Sequence, residues 1–339
     1  MLQRLGDVPL RHGDARTALE YYRQARDRHW DIFVNPRDGF YSERDIKRVV
    51  SNDDIPLGRA YLALGKSAAA RKVFQEALAY REAWLKEEKR APNITSGGSY
   101  MMEAYFYLGI ACSNLADHKS AESNFNKAVK IGEDLQLSDA AAKKSPLSAG
   151  EFREDLARTY GAAGDALLRL GKAREADKKY RESWKNLERA IVLDDQSRLE
   201  LLAQTHERLA AAAKQLANQA DADQHYLEAF KLRKELYHMQ ENNPTFQAAF
   251  VLAGARSGKH VPADHFASKF RPGMQKSPEL LLQLARCWAI CAAAGTPQKT
   301  EYLKGDDYQD AVVLETDPEL VPLHSDPGFT AVIAQVKGR

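Results

Sequence analysis

The chain has 339 residues, 44% of them hydrophobic, and its 49 lysines and arginines nearly balance 47 aspartates and glutamates, for a net charge of +2. That apolar share excludes general disorder, and the charge balance offers no overall field for nucleic acid or an anionic membrane. Three cysteines (Cys112, Cys287, Cys291) are too few for a disulfide scaffold and fit a reducing, cytoplasmic setting; the start has no signal-peptide core, and no apolar run reaches the 18 residues of a membrane span.

Residues 1–33 read as a helical hairpin whose first helix lacks its opening turn, as in a fragment or a chain whose true start lies upstream. Asn35 to Gly39 is turn chemistry. From Ser42 a long helix leads to a turn at Gly65-Lys66. A break or kink is expected at Pro56, which lacks a backbone N–H, and Asn52-Asp53-Asp54 before it is read as the cap of a new helix. A second helix follows from Ser67 to about Lys89. Gly58, set opposite Ala70, lets the two backbones approach closely. After a loop from Pro92 to Gly98, a third hairpin spans 99–137. A small polar loop, 138–150, leads to a fourth hairpin at 151–193 and a fifth at 194–240, ended by Asn242-Asn243-Pro244. Phe246 to Arg256 and Pro262 to Phe270 form a shorter sixth pair. Ser277-Pro278 starts a clear helix that Gly295 ends. Asp317-Pro318 and Asp326-Pro327 repeat this cap signature before short apolar runs. No strand-like alternation occurs, so the chain is expected to be all-α.

The hairpins share a register. A Leu-Gly pair recurs as Leu5-Gly6, Leu57-Gly58 and Leu108-Gly109, and weakens to Ala163-Gly164 and Leu209-Ala210. Twelve residues after the second member of each pair stands Ala18, Ala70, Ala121, Ala176 or Ala222. Four further on stands an aromatic: Tyr22, Phe74, Phe125, Tyr180 or Tyr226. Three beyond that stands a small residue: Ala25, Ala77, Ala128, Ser183 or Ala229. These offsets put the alanine, the aromatic and the small residue on one helix face, which must be buried against a neighbour.

This pattern resembles the tetratricopeptide repeat, a helical hairpin with Leu-Gly in its first helix and A-x3-F-x2-A in its second. The helix A aromatic is present only as Tyr61. The turn residues Gly13, Gly65, Ala116, Gly171 and Ala217 are 52, 51, 55 and 46 residues apart, longer than the roughly 34 of the plain repeat. Long-period repeats of this bacterial type look similar to the region that follows the kinase domain in planctomycete-type serine/threonine kinases. The resemblance implies a right-handed superhelical α-solenoid: residues 1–240 as an array of about five hairpins, the first truncated, 241–295 as a divergent helical repeat region, and 296–339 as a helical C-terminal cap.

No catalytic motif is visible. The glycine-rich loop, His-Arg-Asp and Asp-Phe-Gly of kinases are absent, as are G-x-S-x-G, H-E-x-x-H and the phosphate-cradling P-loop. Cys287 and Cys291 are read as small core residues beside Trp288, Cys112 and His206 as core, and Asp53-Asp54 and Asp194-Asp195 as helix caps. His225 and His238 lie too far apart on one helix to share a site. No cofactor and no metal is expected.

The resemblance implies instead that the first helices line a groove for a peptide or a partner protein. Its groove-facing offsets fall here on Asn52, Arg59, Glu103, Phe106, Asn114, Arg158, Arg169, Gln204 and Lys214. The arginines and Asn114 suit carboxylates or backbone carbonyls, and the apolar members suit an extended or helical segment. A clamp for chaperone tails would place Lys and Asn four apart on helix A. The corresponding pairs are Gln3/Asp7, Ile55/Arg59, Phe106/Ile110, Gly161/Asp165 and Glu207/Ala211, so no such clamp is expected. The leading expectation is a non-catalytic interaction scaffold, and the alternative is an accessory region of a larger signalling protein such as a serine/threonine kinase.

Overall fold

The computed structural model describes residues 2–34, 43–87, 96–137, 146–189, 195–274, 277–294 and 311–317, with a few positions between 319 and 334. Among them all regular structure is helical. The chain divides into two compact units, 1–193 and 194–339. The turn at Asn35–Gly39, Asp194, Gly295 and Asp326-Pro327 lie outside the described residues.

The first unit holds four antiparallel hairpins: α1 (Leu2–Arg11) with α2 (Ala15–Val34), α3 (Glu43–Ala63) with α4 (Ser67–Glu87), α5 (Ser96–Asn114) with α6 (His118–Leu137), and α7 (Pro146–Arg169) with α8 (Ala173–Arg189). The second helix of each hairpin packs on the first helix of the next, and α1, α3, α5 and α7 also meet in sequence. The second unit continues with α9 (Asp195–Gln215) and α10 (Gln219–Met239), then α11 (Pro244–Arg256) and α12 (His260–Phe270), a 3-10 turn (Arg271–Met274), α13 (Pro278–Ala293) and α14 (Ala311–Thr316). Two loops are shorter than the sequence suggests, because α5 begins at Ser96 and α7 at Pro146.

The register found in the sequence is the core. Ala18, Ala70, Ala121, Ala176 and Ala222 are all fully buried, and Tyr22, Phe74, Phe125, Tyr180 and Tyr226 lie buried with them. The close approach at Gly58 is made to the Phe74 ring rather than to Ala70. A Cβ added at Gly58 would lie 2.4 Å from two ring carbons, and Gly6, Gly109 and Gly164 meet Tyr22, Phe125 and Tyr180 in the same way. In these four hairpins the aromatic ring therefore packs directly against the glycine of the facing helix. Where that aromatic is a tyrosine, its hydroxyl donates to an aspartate one residue past the glycine: Tyr22 to Asp7 at 2.8 Å and Tyr180 to Asp165 at 2.9 Å.

The hairpin turns close with one repeated hydrogen-bond pair. Lys66 N–H donates to Tyr61 C=O and Gly65 N–H to Leu62 C=O, both at 2.9 Å, a Schellman cap that needs a left-handed residue. Glycine supplies it at Gly65 (φ 69°), whereas Ala116 and Ala217 adopt φ of 58° and 56° despite their Cβ atoms.

The expectation at Asn52-Asp53-Asp54 is corrected. α3 runs unbroken from Glu43 to Ala63 with Pro56 inside it, so these residues cap nothing. Asp53 and Asp54 are fully buried at mid-helix and meet the preceding hairpin: Arg26 Nε lies 2.7 Å from Asp54, and the His29 ring hydrogen-bonds Asp53. Both α2 and α4 pack on α3, and Arg26 and His29 provide partners for the buried carboxyls. Burial still dominates at Asp54 and pushes its carboxyl up to about 7 against the pull of Arg26.

Candidate protein-interaction face

The first helices of the repeats carry the candidate residues, and helix A offers its small Leu-Gly side to helix B. In the first unit the candidate residues centre on Arg59. Its guanidinium sits 5.3 Å above the Tyr107 ring and 3.9 Å from Glu103, both on the adjacent α5. Phe106 meets Tyr107 edge-on at 5.1 Å and Phe125 at 6.0 Å. Arg59 and Glu103 nevertheless keep over 40% of their side-chain surface exposed, so this cation–aromatic–carboxylate group is preformed and accessible. Further along, Arg169 on α7 donates to Ser113, next to exposed Asn114, and exposed Arg158 lies 3.7 Å from Glu154 on its own helix.

The structure thus brings Arg59, Glu103 and Phe106 together, and places Arg169 at the α5 end that carries Asn114. Asn52 stands apart from them, since its amide oxygen accepts a hydrogen bond from Arg81 of α4. In the second unit the Gln204 amide donates to Glu200 at 2.9 Å, and Lys214 lies 5.9 Å from the Tyr226 ring centroid. Aspartate in the clamp register is committed elsewhere, with Asp165 accepting from Tyr180.

The histidines and cysteines fall where packing chemistry puts them. His206 and His225 are buried with their Nδ1 atoms 3.0 Å apart. Burial, then the neighbouring His225, push the His206 imidazole down to about 4, which keeps it neutral. Cys287 and Cys291 are buried free thiols whose sulfurs hydrogen-bond the Val251 and His260 carbonyls. No three metal-ligating side chains converge among the described residues, and no described helix is long and apolar enough to cross a membrane.

Local patterning missed a charged network in the second unit. Arg233 of α10, almost wholly buried, donates to Glu200 at 2.6 Å and to Glu207 at 2.9 Å, both on α9. Arg256 lies 3.7 Å from Glu207 and makes a two-pronged bond to Glu319. Only the long i-to-j spacing of these residues carries the information, and no motif marks it.

Consecutive antiparallel helical hairpins with small-residue seams define the helical-repeat scaffold class. The family model of the tetratricopeptide repeat matches residues 57–83 and 103–134, the second and third hairpins, so the chain carries tetratricopeptide repeats. No curated protein sequence matches it significantly. Among solved structures it is similar to the apo form of the quorum sensor NprR from B. thuringiensis, with a TM-score of 0.55 at 14% identity, covering 99% of this chain and 78% of that one. It is also similar to a signal-transduction ATPase with a tetratricopeptide repeat sensor from Pyrococcus horikoshii, with a TM-score of 0.54 at 14% identity, covering 99% of this chain and 43% of that one. A third is BtubC from P. vanneervenii, with a TM-score of 0.50 at 16% identity, covering 83% and 92%. At such identities the likeness is one of fold.

Proposed function

We propose that the chain is a non-catalytic, cytoplasmic scaffold that binds a peptide or partner protein on the first-helix face of its first unit, around Arg59, Glu103, Phe106, Asn114, Arg158 and Arg169. The observation that carries this reading is the arginine held over Tyr107 between a carboxylate and an aromatic pair while still open to solvent. An arginine stacked on an aromatic loses little freedom when it then grips a carboxylate or carbonyl, which lowers the cost of binding. The neighbouring rings supply the apolar contact that anchors a short peptide.

The test is selection of peptides from a random display library on the full chain, followed by titration of an enriched peptide. Arg59→Glu and Arg158→Glu should each weaken it tenfold or more. Lys130→Glu, on the exposed side of α6, should leave the affinity unchanged. Failure to enrich any peptide, or equal effects from all three reversals, would refute the assignment.

A further inference from the structure

The most heavily built polar cluster of the molecule lies in the second unit, and its partner is a piece of the same chain. Arg256, the last residue of α11, meets the Glu319 carboxylate through Nε and one Nη, both at 2.8 Å. Arg286 of α13 meets Asp317 at 2.6 and 2.7 Å and lies 3.8 Å from Glu319. Asp317 also accepts the Glu319 backbone N–H at 2.9 Å, which sets the two carboxylates side by side. Apolar anchors flank them: Leu314 and Leu320 are fully buried against Ala285 and Ala289 of α13. An acidic segment held by two arginines and an apolar residue at each end is bound as a peptide ligand is bound.

The charges around it point the same way. On the helices, Glu200 and Glu207 each already pair with Arg233. Without Asp317 and Glu319, Arg256 would keep one distant carboxylate at 3.7 Å, and Arg286 would lose both of these carboxylates. Burial works against the Glu319 carboxylate, yet the Arg256 hydrogen bonds and charge outweigh it and hold its carboxyl below the usual range. The arginine pair is therefore an acceptor complete only with two carboxylates on it.

We propose that Arg256, Arg286 and the Ala285–Ala289 strip form a peptide-recognition site, occupied in cis by Leu314, Asp317, Glu319 and Leu320, that takes in exchange a partner peptide with two carboxylates two residues apart between apolar residues. This site is independent of the face around Arg59. A tethered ligand competes at an effective concentration on the order of millimolar, so the wild-type chain masks the site from partners present at lower concentration.

The probe is a fluorescent peptide copying residues 312–321, titrated by anisotropy against the full chain. Asp317→Asn with Glu319→Gln weakens the cis segment, and this variant should bind the peptide at least tenfold more tightly than wild type. Adding Arg286→Gln should remove that gain. Hydrogen exchange on the wild-type chain gives a second reading free of folding defects, since millimolar peptide should accelerate exchange of the 314–320 amides and leave α9 and α10 unchanged. No gain of binding in the double variant at unchanged helicity, or tail exchange indifferent to peptide, would overturn the proposal and leave the segment a purely structural cap.

Discussion

Replacing Gly58 with alanine tests the glycine–aromatic packing shared by the first four hairpins. An isolated helical Gly→Ala exchange stabilises by about 1 kcal/mol, because alanine loses less backbone entropy. Here the new Cβ would stand 2.4 Å from Cε1 and Cζ of Phe74 and 3.0 Å from Cδ1. Carbon atoms rest at about 3.5–4.0 Å, so ring and helix must part by about 1 Å. The ring has nowhere to retreat, for it is fully buried and stacks on Tyr107 of the next hairpin at 5.8 Å. Overpacking of this kind costs about 1–3 kcal/mol, and a 1 Å separation of α3 from α4 belongs at the upper end. The net expectation is a loss of about 2 kcal/mol. Adding Phe74→Leu should recover part of it, with a coupling of about 1–2 kcal/mol between the positions. Repeat arrays need not unfold as one unit, so the readout is site-resolved hydrogen exchange of α3 and α4, with α10 as internal reference. Slower exchange in α3 and α4 of the Gly58→Ala chain would refute the reasoning, since propensity alone would then govern the site.

Two other expectations follow from backbone conformation and burial. Ala116 holds φ at 58°, a left-handed conformation in which its Cβ crowds the backbone at a cost of about 1–2 kcal/mol; Ala116→Gly should therefore stabilise the α5–α6 hairpin by about 0.5–1 kcal/mol in hydrogen exchange, net of the glycine's added chain entropy. Acid should act oppositely on the two units: His206 titrates near 6.5 when unfolded and near 4 in the fold, so its contribution, at most about 3 kcal/mol, is full above pH 6.5 and lost as pH falls to 4. Asp54, raised from 3.8 to about 7 by burial, instead makes α2–α3 packing weaker as pH rises across that window. His206→Phe should flatten the first slope and Asp54→Asn the second, and a slope that survives its substitution would show that another group titrates.

The repeat register was legible because it is written in short range. A glycine, an alanine twelve residues on and an aromatic four further meet inside one hairpin, so one helix period predicts the contact. The sixth hairpin escaped the pattern because it exchanges sizes across the same seam. Aligned on its turn at Gly258 (φ 81°), Val251 stands where the first four hairpins have the glycine, Ala267 where the other hairpins have the aromatic, and Phe270 where they have the small residue. All three are buried in one core, so the volume is kept while the letters move. Asp53 and Asp54 depart from the local expectation for a related reason. Near a proline an acidic triplet has the local chemistry of a helix cap, and only tertiary packing by α2, with Arg26 and His29, makes it a mid-helix ion-pair site.

The two candidate sites differ in the same respect. Positions around Arg59 could be placed from the repeat register, because helix A always turns the same side away from helix B. What the register could not supply is that Tyr107, one residue past Phe106, carries Arg59 on its ring, since that depends on how closely α3 and α5 lie. The acidic tail had even less of a signature: Asp317 and Glu319 meet arginines 31 and 63 residues away, and a separation of that size follows from the fold alone. Local periodicity can thus say which side of a hairpin seam is small, but not that Leu314 and Leu320 pack on Ala285 and Ala289 of α13.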